Sequence, residues 1–364
     1  MKIGEIINTL NAWAPPAYQE NYDNARLIVG EANAQLTSVL ITLDCTEAVV
    51  EEAIAIGANL IVAHHPIVFK GLKSLTGKNY VERTVIKAIK HDIAIFAIHT
   101  NLDNIHTGVN KKISDIIGLQ NTRVLVSKKD TLTKLVTFVP EPNKDSVLDS
   151  LYKAGAGQVG NYNQCSFQIT GTGTFKPNDQ ANPFIGNQNE LQHQEEVRLE
   201  LIFPTHLQGK ILKALKKDHP YEEVAYYLTP LLNDNQEVGA GMIGDLCEAL
   251  PVEQFLSHLK TAFNLKVIRH TSLNNQPIKR VALCGGAGSF LLSQAKSSGA
   301  DIFITGDFKY HEFFDAENEI IIADIGHYES EVFTKDLIHD FLKEKFPNIA
   351  LNLSKLNTNP INYF

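Results

Sequence analysis

Thirteen histidines are spread along the chain, and six of them, at positions 64, 65, 99, 106, 311 and 327, lie at or just past the ends of strand-like apolar runs. The run LIVA (60–63) gives way to His64 and His65, and IAIFAI (93–98) to His99 with Asp103 four residues on. DIFIT (301–305) leads to Asp307 and His311, and EIIIAD (319–324) to His327 with Glu331. In open α/β sheets, ligands bind outside the carboxyl ends of the strands. Imidazole and carboxylate together make a shell for a divalent transition metal. His327 and Glu331 are four apart at the start of a helical pattern, so both can face one ion. His64 and His65 are adjacent, and neighbours on an extended strand point to opposite faces, which suits two ions better than one. Asp103 and Glu331 are able to neutralise and bridge two cations, and paired metals activate water near neutral pH. A single histidine near a strand end is ordinarily a half-buried polar residue, so the weight rests on the recurrence at four strand ends.

The elements that must position these residues follow from periodicity. SVLITLD (38–44) reads as a strand, TEAVVEEAIAIG (46–57) as a helix closed by Gly57, LIVA (60–63) as a buried strand, 81–92 as a helix and 93–98 as a strand. The pattern returns with a strand and glycine-rich turn over 280–288, a helix over 289–299, strands over 300–307 and 319–326, and one long helix over 327–346. Short apolar runs between amphipathic helices predict a parallel sheet. The middle of the chain orders its elements strand, helix, strand, strand, helix, strand, with a glycine-dense stretch at 155–177 and a polar loop at 178–194. That order predicts a compact α+β unit with an antiparallel sheet. The expected organisation is therefore a split, doubly wound α/β metal-binding domain (1–128 and 236–364) with an inserted α+β domain (129–235).

Bulk properties narrow the function. The chain has 364 residues with 44% apolar and 20% charged, an ordinary globular composition. A net charge of −8 argues against non-specific nucleic-acid binding. The four cysteines, Cys45, Cys165, Cys247 and Cys284, form no C-x-x-C pair, which reads as a reducing compartment. No stretch reaches the ~20 apolar residues of a membrane span and the N-terminus has no signal-like apolar run, so the expected location is the cytoplasm. Two glycine motifs compete for attention. Gly239 to Gly244 fits G-x-G-x-x-G but lacks the flanking strand and helix of a dinucleotide fold, so a turn or bulge is expected. Cys284 to Ser289 sits between strand and helix and is either a phosphate cradle or a turn that needs positive φ.

Taken together, YDNARLIVG (22–30), AHHPIVFKGLKSL (63–75), HTNLD (99–103), GDFKYHEFFDA (306–316) and GHYESE (326–331) resemble the GTP cyclohydrolase 1 type 2 family, also called the Nif-three-like family. The resemblance spans nearly the whole chain, and the middle segment is similar to the family's insert of ferredoxin-like, trimeric-regulator-like topology. It departs at Tyr22, where tryptophan is usual, at Ala25, where glycine is usual, and at Val238–Gly241. It implies two divalent metal ions per subunit held by His64, His65, Asp103, His327 and Glu331, with zinc first and iron, manganese or cobalt as alternatives. It also implies a toroidal homohexamer and a small-molecule substrate such as a nucleotide, with water opening the imidazole ring of GTP and releasing formate. Within that chemistry His99 and His311 are candidate proton shuttles, and Lys70, Lys73 or Lys309 candidate phosphate contacts. Two other functions fit the same residues: a two-metal phosphodiesterase or phosphatase, and a non-enzymatic metal-binding assembly scaffold.

Overall fold

The computed structural model describes residues 1–273 and 276–364. The chain divides into two compact units, Met1–Ser127 with Gln236–Phe364, and Lys128–Asn235.

The first unit holds two mixed sheets. One runs in the order Leu27–Val29, Ala94–Ala97, Leu60–Ala63, Val39–Thr42, Leu351–Leu353; its first strand is antiparallel and the other four are mutually parallel. The other runs Arg269–His270, Ile321–Asp324, Ile302–Gly306, Ile278–Ala287, Gly239–Leu250, Gln120–Ser127. Its three central strands are parallel and its flanking strands antiparallel. The strand spacing predicts one doubly wound domain from the outer segments; the molecule instead builds two sheets around a common helical layer. Side-chain alternation explains how. Val39, Ile41, Leu60, Val62 and Phe96 of one sheet, and Val281, Leu283, Ile302 and Ile304 of the other, enter one core together with Ile6, Leu10, Phe255, Leu259, Ile338 and Leu342 from helices. The alternate residues Leu40, Ile61 and Ile95 pack outward on Val49, Val50, Val85 and Ala88, while Ala282, Phe303 and Ile322 pack on Leu291, Leu292 and Ala295. Both faces of the parallel strands are buried, which is why they read as unbroken apolar runs.

Local rules account for several boundaries. The helix Glu47–Ile56 begins at Thr46, whose hydroxyl accepts from the Val49 N–H, and ends at Gly57 with φ 70°. The expected single helix over 327–346 is broken into His327–Glu331 and Thr334–Lys345. The G-x-G-x-x-G segment lies inside the strand Gly239–Leu250, with Gly241 at φ 64° and a register shift between Ile243 and Asp245, so of the two expected readings the bulge applies and the turn does not.

The second unit follows the order strand, helix, strand, strand, helix, strand: Leu132–Pro140, Lys144–Ala154, Phe167–Phe175, Gln192–Pro204, Gln208–Asp218 and Tyr226–Pro230. Its four strands form an antiparallel sheet with Gln192–Pro204 and Leu132–Pro140 at the centre. Leu135, Val139, Leu199, Leu201 and Phe203 from the sheet close a core with Leu148, Leu151, Ile211 and Leu215 from the two helices.

Candidate metal centre

In the first unit the carboxyl ends of both sheets converge on one cleft of about 520 Å³. His64 and His65 leave the strand Leu60–Ala63, and Asp103 closes the one-turn helix Thr100–Asp103 that follows Ala94–Ala97. From the other sheet, Asp307 follows Ile302–Gly306, and His327 and Glu331 occupy the first and last positions of the short helix after Ile321–Asp324. Gly326, at φ 92°, makes the bend that sends His327 back towards the cleft.

The polar contacts of this cluster are directional. His64 is fully buried, and its Nδ1 lies 2.8 Å from the Ile98 carbonyl oxygen. A carbonyl only accepts, so Nδ1 carries a proton and Nε2 is the nitrogen turned inward. Nε2 faces Asp103 Oδ1 at 3.5 Å and Glu331 Oε1 at 3.9 Å. His64 Nε2 and Asp103 Oδ1 are both buried with no hydrogen-bond partner. His65 and His327 are each backed by a carboxylate, with Nδ1 at 2.7 Å from Asp44 Oδ1 and from Asp307 Oδ2 respectively. Their Nε2 atoms both approach Glu331 Oε2 at 3.0 Å and lie 3.4 Å apart. Glu331, 3% exposed, thus turns one oxygen to His64 and the other to the His65–His327 pair.

Two groups of donors result, His64–Asp103–Glu331 and His65–His327–Glu331, and a third, His64–His65–His99, overlaps both; within each, the ligand atoms lie within 4.8 Å of one another. His99 is backed in the same way, with Nδ1 2.8 Å from Asp23 Oδ1. Asp23 in turn accepts the Thr100 N–H at 3.0 Å and the Thr100 hydroxyl.

Electrostatics match this geometry. Burial raises the Asp103 carboxyl well above the carboxylate range, whereas the facing imidazoles overcome burial at Glu331 and hold it well below. For His65, burial disfavours the cation but hydrogen bonds to Asp44 and Glu331 win, lifting it to about 9. His327 is lifted to about 11 by the same contest, with Asp307 and Glu331 as its partners. Burial opposes ionisation of Asp23, yet its bonds to His99 and Thr100 bring it down to about 2. Burial, with Asp103 and Glu331 nearby, pushes the Cys284 thiol up, so the one cysteine lining the cleft is held as a thiol.

The residues fit divalent cations. His64 Nε2 and Asp103 Oδ1 face each other across 3.5 Å, both buried without a hydrogen-bond partner, a costly arrangement that a cation bound between them would satisfy. Three imidazoles each held at Nδ1 by a carbonyl or carboxylate, with Nε2 turned inward, are the arrangement in which histidine ligands are oriented.

The glycine-rich end of the strand Ile278–Ala287 is part of this wall. Gly286, at φ 61°, comes so close that a Cβ there would lie 2.4 Å from Glu331 Oε1. Its N–H is engaged by Ser330 Oγ, that of Gly285 by Asn110 Oδ1 and that of Gly288 by Thr305 Oγ1. Those donors are spent inside the protein, so the phosphate cradle does not apply; the expected positive φ is present at Gly286, but inside an irregular strand end rather than in a separate turn.

The cleft brings His64, His65, His99, Asp103, His327 and Glu331 together. His311 lies apart, on the 3-10 segment Tyr310–Ala316, with its ring against Tyr310 and Phe314 and away from the cleft lining. His106 places its N–H on the Glu237 carbonyl and does not line the cleft either. None of Lys70, Lys73 and Lys309 lines it, and Lys309 pairs with Glu312 at 3.7 Å. Of the orienting carboxylates, Asp307 stands among the strand-end residues that the sequence points to, whereas nothing in the sequence marks Asp23 or Asp44 for this role, although Asp44 ends the strand-like SVLITLD.

An α/β fold whose strand ends carry a carboxylate-linked polyhistidine cluster defines a candidate metalloprotein. The chain belongs to the Duf34/NIF3 (NGG1p interacting factor 3) family, which it matches over residues 1–360. A Halalkalibacterium halodurans protein named GTP cyclohydrolase 1 type 2 homolog is 39% identical over 98% of each chain. A Bacillus subtilis protein of the same name is 35% identical, over 99% of this chain and 98% of that one. Among solved structures, a Bacillus cereus protein related to NIF3 superposes with a TM-score of 0.88 at 38% identity, covering 100% of this chain and 99% of that chain. No helix among the described residues is long and apolar enough to cross a membrane.

Proposed function

We propose that the cleft is a dinuclear divalent-metal site and that the protein is a metal-dependent hydrolase of a heterocyclic small molecule, with GTP ring opening as its reference reaction. The observation that carries this reading is the division of Glu331 between two donor groups, Oε1 towards His64 and Oε2 towards His65 and His327. His64, Asp103 and Glu331 would hold one ion, and His65, His327 and Glu331 the other. The histidine and carboxylate set suits zinc, and also iron, manganese or cobalt. When bound, such a pair supplies Lewis acidity and water activated at neutral pH.

The chain's own residues supply the rest. Asp44 and Asp307 hold His65 and His327 with Nε2 turned inward. His99, fixed through Nδ1 by Asp23, lines the cleft and stands where a proton can be taken up or delivered. Tyr22, Phe69, Phe290 and Tyr328 give the cleft apolar surface for a planar ring. The relatives' printed name supports the choice of GTP as first substrate. We further read the outer unit as a split doubly wound domain that has opened into two sheets, the inserted unit as ferredoxin-like, and the assembly as a homohexamer; mass measurement by light scattering tests the last.

Elemental analysis of the purified protein with a formate-release assay on GTP tests the whole. Two ions per chain and formate release, both lost in Glu331→Ala, are expected. Two ions with no formate, but turnover of a phosphate ester, would transfer the site to phosphoester hydrolysis. Two ions with no turnover would favour a metal-binding scaffold.

A further inference from the structure

The last eleven residues of the sequence run from the end of one sheet to the metal cleft. They follow the strand Leu351–Leu353, which pairs in parallel with Val39–Thr42. The segment is tied down at successive points. The Ser354 N–H donates to the Ile41 carbonyl at 2.8 Å, and the Ser354 hydroxyl and Lys355 N–H donate to Glu52 at 2.5 and 2.9 Å. The Thr358 hydroxyl donates to Asp44 Oδ2 at 2.6 Å, and the Thr358 backbone also hydrogen-bonds the Tyr328 hydroxyl. Asn359 donates to Glu329 Oε1 at 3.1 Å, and Asn359, Pro360 and Ile361 then line the cleft.

Asp44 therefore works with both oxygens. Oδ1 holds His65 Nδ1 at 2.7 Å, and Oδ2 is held by Thr358. A carboxylate fixed at one oxygen can still swing about its own axis; fixed at both, it gives the imidazole one direction. Partners behind a metal-binding histidine tune its affinity by orienting the ring.

We infer that Thr358 is a positioning residue of the metal centre, acting through Asp44 on His65, so that the C-terminal segment sets the affinity of one of the two ions. This rests on the dinuclear reading of the cleft. It assigns the influence to the ion of the His65–His327–Glu331 group. His64 takes its orientation from the Ile98 carbonyl instead, so the other ion is outside Thr358's reach.

The test uses the full chain and zinc. Zinc per chain is measured by elemental analysis across a chelator-buffered zinc series for wild type, Thr358→Val, Thr358→Ser and Asp44→Asn, with thermal unfolding of each metal-free protein. Thr358→Val should weaken one of two zinc ions ~3–10-fold, the size of one lost hydrogen bond, and leave the other unchanged. Asp44→Asn should weaken the same ion ~10–100-fold. Thr358→Ser, which keeps the hydroxyl, should restore wild-type binding. Wild-type affinity for both ions in Thr358→Val overturns the inference while leaving the dinuclear site standing. So does unchanged zinc binding in Asp44→Asn, or equal loosening of both ions together with a lower metal-free melting temperature. A wild-type chain that takes up no zinc, or only one ion, overturns the dinuclear reading and this inference with it.

Discussion

Metal affinity at this centre should depend steeply on pH, and differently for the two ions. In the metal-free protein the His65 imidazolium persists up to about pH 9 and that of His327 up to about pH 11, because the bonds to Glu331 and to Asp44 or Asp307 outweigh burial. A ligand nitrogen must be deprotonated, so an ion that enters the His65–His327–Glu331 group displaces two protons at neutral pH. Each displaced proton raises apparent affinity about tenfold per pH unit, so two give about 100-fold, or about 2.7 kcal/mol per unit. The His64–Asp103–Glu331 group should respond less. There the raised Asp103 carboxyl is the group with a proton to lose, about tenfold per unit at most. The sign for stability runs the other way. Raised imidazoles stabilise the metal-free fold fully below about pH 6.5, their unfolded value, and that contribution is lost as pH climbs through about 9 and then about 11. Metal-free melting temperature should therefore fall over this window while the stabilisation by zinc grows. Competition titration against a chelator of known pH dependence gives both slopes, and calorimetry in two buffers of different ionisation enthalpy counts the protons released. Two ions with slopes indistinguishable from zero between about pH 6.5 and 8.5 would refute the reasoning, since neither imidazole could then hold a proton in the absence of metal.

Three further outcomes follow from the geometry. His64→Ala and His327→Ala should each retain one zinc ion per chain by elemental analysis, whereas Glu331→Gln, which removes the charge shared by both groups, should retain none. Gly286→Ala should lower zinc affinity at least tenfold and the melting temperature by several degrees. The left-handed backbone costs an L-residue ~1–2 kcal/mol, and the added Cβ would lie 2.4 Å from Glu331 Oε1; equilibrium dialysis with zinc and thermal unfolding check both. His311→Ala should leave zinc content and any formate release from GTP at wild-type levels, because its ring packs on Tyr310 and Phe314 rather than in the cleft; loss of turnover at full zinc occupancy would return His311 to the site.

How far the sequence speaks for this architecture depends on the range over which each signal acts. Gly57 and Thr46 announce their helix because capping is settled within a few residues. The buried parallel strands announce themselves because both of their faces are covered. Whether two such sets of strands join one sheet or two is decided by the flanking antiparallel strands. Gly239–Leu250 hides its nature behind three glycines in six residues, one of them at φ 64°. The same division governs the site. That histidines gather at strand ends is visible along the chain. Which carboxylate stands behind each imidazole is not, since Asp44 is 21 residues from His65, Asp307 is 20 from His327, and Asp23 is 76 from His99.

His311 marks where the strand-end argument stops. It comes five residues after its strand, against two for His99 and three for His327, and as a histidine just past a strand end it makes the same kind of claim on the cleft. The chain after Ile302–Gly306 passes Asp307 at φ 57° and then turns as a 3-10 segment, Tyr310–Ala316, whose Lys309 N–H is met by Glu312. Asp307 precedes that segment and reaches back to His327, whereas His311, its second residue, lies in a tighter turn of 3.0 residues with its ring on Tyr310 and Phe314. By contrast, the α-turn of His327–Glu331 holds residues i and i+4 on one face, and both meet the cleft. A strand end thus fixes the neighbourhood in which a side chain begins, and the first turn after it fixes the direction in which that side chain leaves. The chemistry of the centre depends on the second quantity, which is why Asp307, the nearer residue, lines the cleft and His311 does not.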